Sequence, residues 1–285
     1  PRSEMIVPAR ADEPETGPRR LRLAGESTVR HARIVALANQ KGGVAKTTST
    51  LNLGVALAER GLRVLLVDLD PQSNLTMSQG IDPETVEQSM FDVLVKRIPI
   101  TDVIAHREVD LAVGSIDLAG AELALASMIG RERALEKALM AVRADYDWIL
   151  VDTPPSLGLL TINALTAADG VIVPVQCEYL SLRGLAQLQS TLQMIRENLN
   201  PHVRIQGILP TMLDTRLVHA REALELLIAS FGDLVYRTRV RKTVRLAEAP
   251  VQGTSVIAYD PDGAAADAYR RLAEEVLEDA AEEAG

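Results

Sequence analysis

Ala36-Leu37-Ala38-Asn39-Gln40-Lys41-Gly42-Gly43-Val44-Ala45-Lys46-Thr47-Thr48 decides the fold. The apolar run 34–38 leads into it, and Leu51, Val55 and Ala58 share a helical face beyond it, so the stretch reads as strand, loop and helix. A loop in that place turns its backbone N–H groups and the positive end of a helix dipole toward an anion. Gly42 and Gly43 let backbone come close to a phosphate. Lys46 then belongs on the β- and γ-phosphates and the Thr47 hydroxyl on Mg²⁺. The expected ATP or ADP site is the loop Lys41, Gly42, Gly43, Val44, Ala45, Lys46, Thr47 and Thr48.

Two further stretches feed the same place. Residues 63–68 follow a helix-ending Gly61 and form an apolar run closing in Asp68-Leu69-Asp70-Pro71-Gln72; residues 147–152 repeat the pattern and close in Asp152-Thr153-Pro154-Pro155. Such runs suit buried parallel strands. Ligands of doubly wound sheets lie outside the carboxyl ends of strands, so these acids are delivered beside the phosphates.

Strands are also expected at 109–116, 170–175 and 203–209, and helices at 157–167, 182–199 (capped by Ser181), 218–231 and 264–281. Residues 82–107 read as helical with polar interruptions, and 118–143 as a long amphipathic helix with a break at Gly130. This alternation specifies one α/β domain over 32–285: a P-loop NTPase with a single doubly wound, mainly parallel sheet and helices on both faces. Residues 1–31, with Pro8, Pro14, Pro18 and many charges, read as a disordered tail whose Arg19, Arg20 and Arg22 are solvated.

The 285-residue chain carries a net charge of −9, which as a whole disfavours nucleic acid and shifts attention to local basic surface. Its single cysteine, Cys177, excludes a disulfide framework and any Cys-ligated zinc or iron–sulfur site within one subunit. No apolar run approaches the roughly 18 residues a membrane span needs, and no signal-peptide pattern opens the chain. A reducing, cytoplasmic location is expected, with no membrane partner.

A standard phosphate loop has Gly six residues before its lysine and again directly before it; here Gln40 and Ala45 stand there, and two lysines bracket two glycines. This arrangement resembles the deviant Walker A motif of the ParA/MinD superfamily. Asp68–Gln72 resembles its second acidic segment, Asp152–Pro155 its Walker B, Pro174-Val-Gln-Cys-Glu-Tyr179 a segment of its partition ATPases, and 240–250 its IPRNVRLSEAP block. The likeness extends over about 33–273 and is that of a ParA/Soj-type chromosome or plasmid partitioning ATPase.

The resemblance implies roles. Lys41 reaches across a nucleotide-sandwiched homodimer to the other subunit's phosphates, and with Lys46 and Asp70 forms the catalytic set. Asp70 orients or deprotonates the attacking water, Asp68 lies near the magnesium shell, and Asp152 holds a Mg²⁺-bound water. Arg241 and Thr243 occupy the adenine positions. Arg245, Arg216 and Lys242 would bind DNA without sequence preference, placing the protein on the nucleoid, and a ParB-type partner would stimulate hydrolysis. Membrane-bound relatives end in a basic helix, whereas here Glu274, Glu275, Glu278 and Asp279 make the last helix acidic. Two other readings stand beside this one: a small-molecule ligase of the cobyrinate or dethiobiotin kind on the same fold, and a scaffold without turnover, for which Ala45 is the motive.

Overall fold

The structure is a computed structural model that describes residues 31–178, 181–214 and 216–284. The tail expected over 1–31 falls almost wholly outside them, as does the Ser181 side chain. Seven strands form one sheet: β1 (Arg33–Leu37), β2 (Val64–Asp68), β3 (Ile104–His106), β4 (Asp110–Ala112), β5 (Trp148–Asp152), β6 (Gly170–Gln176) and β7 (Arg204–Thr211), in the order β3-β4-β2-β5-β1-β6-β7. Every neighbouring pair is parallel except β3 with β4. The helices are α1 (Lys46–Glu59), α2 (Asn74–Met77), α3 (Leu118–Ala126), α4 (Ala134–Met140), α5 (Leu159–Ala167), α6 (Ser181–Asn198), α7 (Val218–Phe231), α8 (Arg245–Val251), α9 (Val256–Tyr259) and α10 (Ala264–Ala284).

The winding follows from this order. The crossover β1–α1–β2 moves one way along the sheet and β5–α5–β6 the other. Parallel crossovers are right-handed, so α1 and α5 cover opposite faces. β2 and β5, buried at every residue, are accordingly apolar except at their terminal aspartates. The loops leaving the adjacent strands β1 and β5 part toward opposite faces, and the crevice between them is the place where such sheets take ligands.

Two expectations need correction. Residues 82–107 hold a π-helical turn (Asp92–Lys96), a 3₁₀ turn (Ile100–Val103) and β3 instead of a helix. Arg97 is left-handed at φ 63° and Pro99 follows, and the pair stops any helix from running through. The strand expected over 109–116 is only Asp110–Ala112. The break expected at Gly130 within 118–143 is present: Gly130 sits at φ +67°, as a helix cannot, between Leu118–Ala126 and Ala134–Met140.

Helix α1 lies close on the sheet because Gly54 faces it: a Cβ there would stand 2.6 Å from Leu66 Cδ2. At Gly54→Ala two effects compete. Alanine favours the helix by about 1 kcal/mol, but overpacking a core typically costs about 1–3 kcal/mol, and Leu66 is fully buried. Urea unfolding of Gly54→Ala should show a net loss of up to about 2 kcal/mol at unchanged m-value. A gain in stability would mean that Leu66 yields freely.

Candidate nucleotide site and basic surface

The loop after β1 is pinned from both sides. Asn39, 4% exposed, donates from Nδ2 to the Pro174 carbonyl (2.7 Å) and accepts the Lys41 N–H on Oδ1 (3.0 Å). The hydroxyl of Thr211, at the end of β7, donates to the Val44 carbonyl (3.0 Å). Between these anchors Gly43 (φ 72°) and Ala45 (φ 64°) take left-handed conformations, and the Ser49 N–H closes the first turn of α1 on the Ala45 carbonyl (2.9 Å). A Cβ on Gly43 would meet nothing within 4 Å, so its outer side is open.

Register brings the acids to this loop. Asp152 lies opposite Leu37 on β1 and opposite Asp68 on β2. Asp152 Oδ2 accepts the Thr47 hydroxyl (2.6 Å) and Oδ1 the Thr50 hydroxyl (3.4 Å), joining the two metal-assigned groups Thr47 and Asp152 directly. Burial and the Asp68 charge push the Asp152 carboxyl up to about 8. Lys46 is 6% exposed; burial lowers its pKa while Asp152 and Asp70 oppose that shift. The Lys46 ammonium thus sits beside two acids, Asp152 and Asp70.

Asp68 is turned away from the loop. Its Oδ2 accepts the Thr76 N–H (2.9 Å) and hydroxyl (2.7 Å), and its Oδ1 the Asp70 N–H (3.2 Å). Burial pushes it up to about 6 against these bonds. A Cβ at Gly114 would stand 2.9 Å from its Cγ, which explains the glycine after β4. The geometry therefore gives Asp68, expected near the magnesium shell, the holding of the segment that presents Asp70. Asp70 is 7% exposed and accepts the Gln72 N–H on Oδ1 (3.0 Å). Among the described residues no three His, Cys, Asp or Glu side chains could enclose a metal ion alone. A Mg²⁺ held through Thr47 and Asp152 suits this site, since that ion keeps waters and takes phosphate oxygens.

The stretch 236–247, with Arg237, Arg239, Arg241, Lys242 and Arg245 and no acid, lies across the end of β7. Leu213 bridges Arg241, and backbone bonds from Leu213 N–H to Val240 and from Lys242 N–H to Leu213 set the loop of Arg216 beside Lys242. Of the arginines in this stretch, Arg237 and Arg245 have acidic partners outside it. Arg216 forks onto Asp214 (2.8 and 2.6 Å), holding that carboxyl at about 2. Arg245 donates to Glu248 (2.9 Å), lies 3.8 Å from Asp260 and stacks over Tyr259. Arg237 meets Glu275 and Glu278. Arg241 and Thr243, the adenine positions, line a cleft of about 620 Å³ with Arg237, Arg239, Arg245 and α10 that contains no P-loop residue. The Thr243 hydroxyl accepts the Arg245 N–H (3.4 Å) as α8 starts.

Residues 32–205 match the model of a family described as an AAA domain. The sporulation initiation inhibitor protein Soj of Bacillus subtilis is 49% identical over 247 residues, 86% of this chain and 98% of its own. The chromosome partitioning protein ParA of Caulobacter vibrioides is 44% identical over 250 residues, 86% and 94% of the two chains. The chain belongs to the ParA/Soj family of partitioning ATPases. A solved structure from Mycobacterium smegmatis, described as cobyrinic acid a,c-diamide synthase with bound ATP analogue and magnesium, matches with a TM-score of 0.76 at 41% identity over 86% of this chain and 94% of that one. Its ADP form also holds magnesium. Among the described residues of this ParA/Soj family member no helix is long and apolar enough to cross a membrane.

Sequence reasoning missed Asn39 and Thr211, whose partners are remote in the chain, and Thr76, which bonds Asp68 across the turn after β2. At Ala45 the backbone explains why a standard phosphate loop has Gly there: a left-handed residue with a Cβ costs about 1–2 kcal/mol. Ala45→Gly should therefore raise the urea midpoint by the equivalent of about 1 kcal/mol, after glycine's greater unfolded-state entropy is subtracted. A drop in stability would show that Ala45 sits there without strain.

Proposed function

We propose that this chain is an ATP-driven dimerising switch that binds DNA non-specifically, hydrolyses ATP slowly and is reset by a ParB-type partner, segregating or positioning a DNA cargo. The observation that carries the reading is the division between the two lysines of one loop. Lys46 is buried beside Asp70 and Asp152, where it serves its own nucleotide. Lys41 is partly exposed at the rim, where it can serve a neighbour's. The identities to Soj and ParA support the same reading.

Mg²⁺ and ATP, when bound, supply the charge neutralisation and leaving group that phosphoryl transfer relies on. The chain's own residues position: Thr47 and Asp152 would hold the metal, Lys46 the phosphates, and Asp70 would orient a water or accept its proton. A base that is a single carboxylate accounts for slow turnover. A second reading comes from the Mycobacterium smegmatis structure, whose name specifies cobyrinic acid amidation. Adding cobyrinic acid and an amide donor, or DNA, to the ATPase assay separates the two, because only the true acceptor or effector should raise turnover.

Three variants test the site. Lys46→Ala should lose nucleotide binding. Lys41→Ala should keep binding and lose ATP-dependent dimers in light scattering. Asp70→Ala should bind ATP and accumulate as dimer with hydrolysis reduced about 10²–10⁴-fold, the usual loss for a general base. Normal dimerisation of Lys41→Ala, or wild-type turnover of Asp70→Ala, would sink the assignment.

An acidic monomer with few unpaired cations should bind DNA weakly, and dimerisation doubles the basic surface on one side. Affinity should fall with salt at a log–log slope of about −0.9 per phosphate neutralised, nearly independent of sequence. With a non-hydrolysable ATP analogue, Arg216→Ala or Arg245→Ala should flatten that slope by roughly one to two units while dimers persist. Equal slopes for mutant and wild type would leave both arginines as partners of Asp214 and Glu248 only.

A further inference from the structure

Lys41 is not idle in the single chain. Its Nζ donates to Glu178 Oε2 at 2.6 Å and to Gln176 Oε1 at 3.0 Å. β6 lies beside β1 with Leu37 opposite Ile172, so the segment leaving β6 rises next to the phosphate loop. The bond from Asn39 to the Pro174 carbonyl fixes that approach. A short turn, the Glu178 N–H on the Gln176 carbonyl (2.8 Å), brings the carboxylate to the lysine. The side chains remain 36% and 52% exposed, so both groups can be reached from outside the chain.

Resting on the dimer reading above, we propose that Glu178 is the positioning residue of Lys41: it latches the ammonium at home in the free subunit and surrenders it to the phosphates of a second subunit's nucleotide. Two effects have the same sign. Lys41 must leave its carboxylate before it can serve the other subunit, and a polyphosphate approaching the rim is repelled by the Glu178 charge until it does. The latch is weak by design of its surroundings, since an ion pair this exposed shifts an equilibrium only about two- to fivefold. It therefore sets the protein concentration at which ATP closes the dimer and leaves closure itself possible.

Glu178→Gln keeps the shape and an acceptor oxygen while removing the charge. Each dimer opens two such latches, so in sedimentation velocity with a non-hydrolysable ATP analogue the variant's dimer dissociation constant should be about four- to 25-fold lower than that of the wild type, and the gap should narrow as salt rises. Glu222→Gln removes the same charge from α7, across the groove that Glu178 also lines, and should leave the constant unchanged. An unchanged or weaker dimer in Glu178→Gln, or equal tightening in Glu222→Gln, overturns the proposal. A second measurement needs no dimer: ¹⁵N relaxation of the Lys41 ammonium in the nucleotide-free chain should report an ordered group in the wild type and a mobile one in Glu178→Gln. A Lys41 ammonium already mobile in the wild type also overturns it. Failure of the wild type to dimerise with ATP would instead remove the dimer reading, while the relaxation data still decide whether Glu178 holds Lys41.

Discussion

Everything at the carboxyl edge of the sheet depends on keeping Lys46, Asp70, Asp152 and Asp68 together out of water. An isolated buried charge is prohibitively costly, and buried groups persist only when paired and hydrogen-bonded. The chain meets this condition with hydroxyls: Thr47 and Thr50 on Asp152, and Thr76 on Asp68. Hydroxyls orient these acids without supplying positive charge, and burial raises Asp152 and Asp68 toward their protonated forms. A cation at the site would displace those protons, and in turn would make the site receptive to polyphosphate. Strand register creates the cluster, because Asp68, Asp152 and Leu37 stand side by side.

The acidity of α10 has the same kind of explanation. Glu275 accepts the backbone N–H groups of Arg237 (2.6 Å) and Thr238 (2.7 Å), Glu278 takes the Arg237 guanidinium, Glu274 takes Arg60, and Glu283 meets both Arg33 and Arg204. Its carboxylates thus clasp β1, β7, α1 and the basic segment from one side. Tyr269 on the same helix reaches Ser49 in α1 (3.2 Å), and Asn52 of α1 holds the Val256 N–H of α9 (2.8 Å). The helix that starts at the phosphate loop is therefore fastened to the C-terminal third of the domain.

What was legible in the sequence is what lies within a few residues of itself. The strand, glycine pair, lysines and acid-terminated runs of the nucleotide site are local patterns, and the alternation of strand and helix lengths fixes a doubly wound sheet. Contacts between distant segments were not legible. Asn39 with Pro174, Thr211 with Val44, and Lys41 with Glu178 each join positions more than 130 residues apart. The same blindness hides the partners of the basic run 236–247, where Arg237 is covered by Glu275 and Glu278 from α10. Between 82 and 140 the elements are one or two turns long, too short for periodicity to separate a π turn, a 3₁₀ turn and a three-residue edge strand.

Ala45 joins these two levels. Its left-handed backbone is unfavourable for a residue with a side chain, and such conformations persist only where the surroundings over-determine them. Here they do: Thr211 fixes the carbonyl just before it, Ser49 bonds its own carbonyl, and Lys46 directly after it is drawn inward by Asp152 and Asp70. A cost of about 1–2 kcal/mol is a visible fraction of the roughly 5–15 kcal/mol that stabilises a domain, yet small beside a core of this extent. The strain is thus a property of the loop's path more than of the residue, and the path is set by where a helix must begin for its first N–H groups to face an anion. Glycine would follow that path with less strain; alanine follows it because the anchors on either side leave no other.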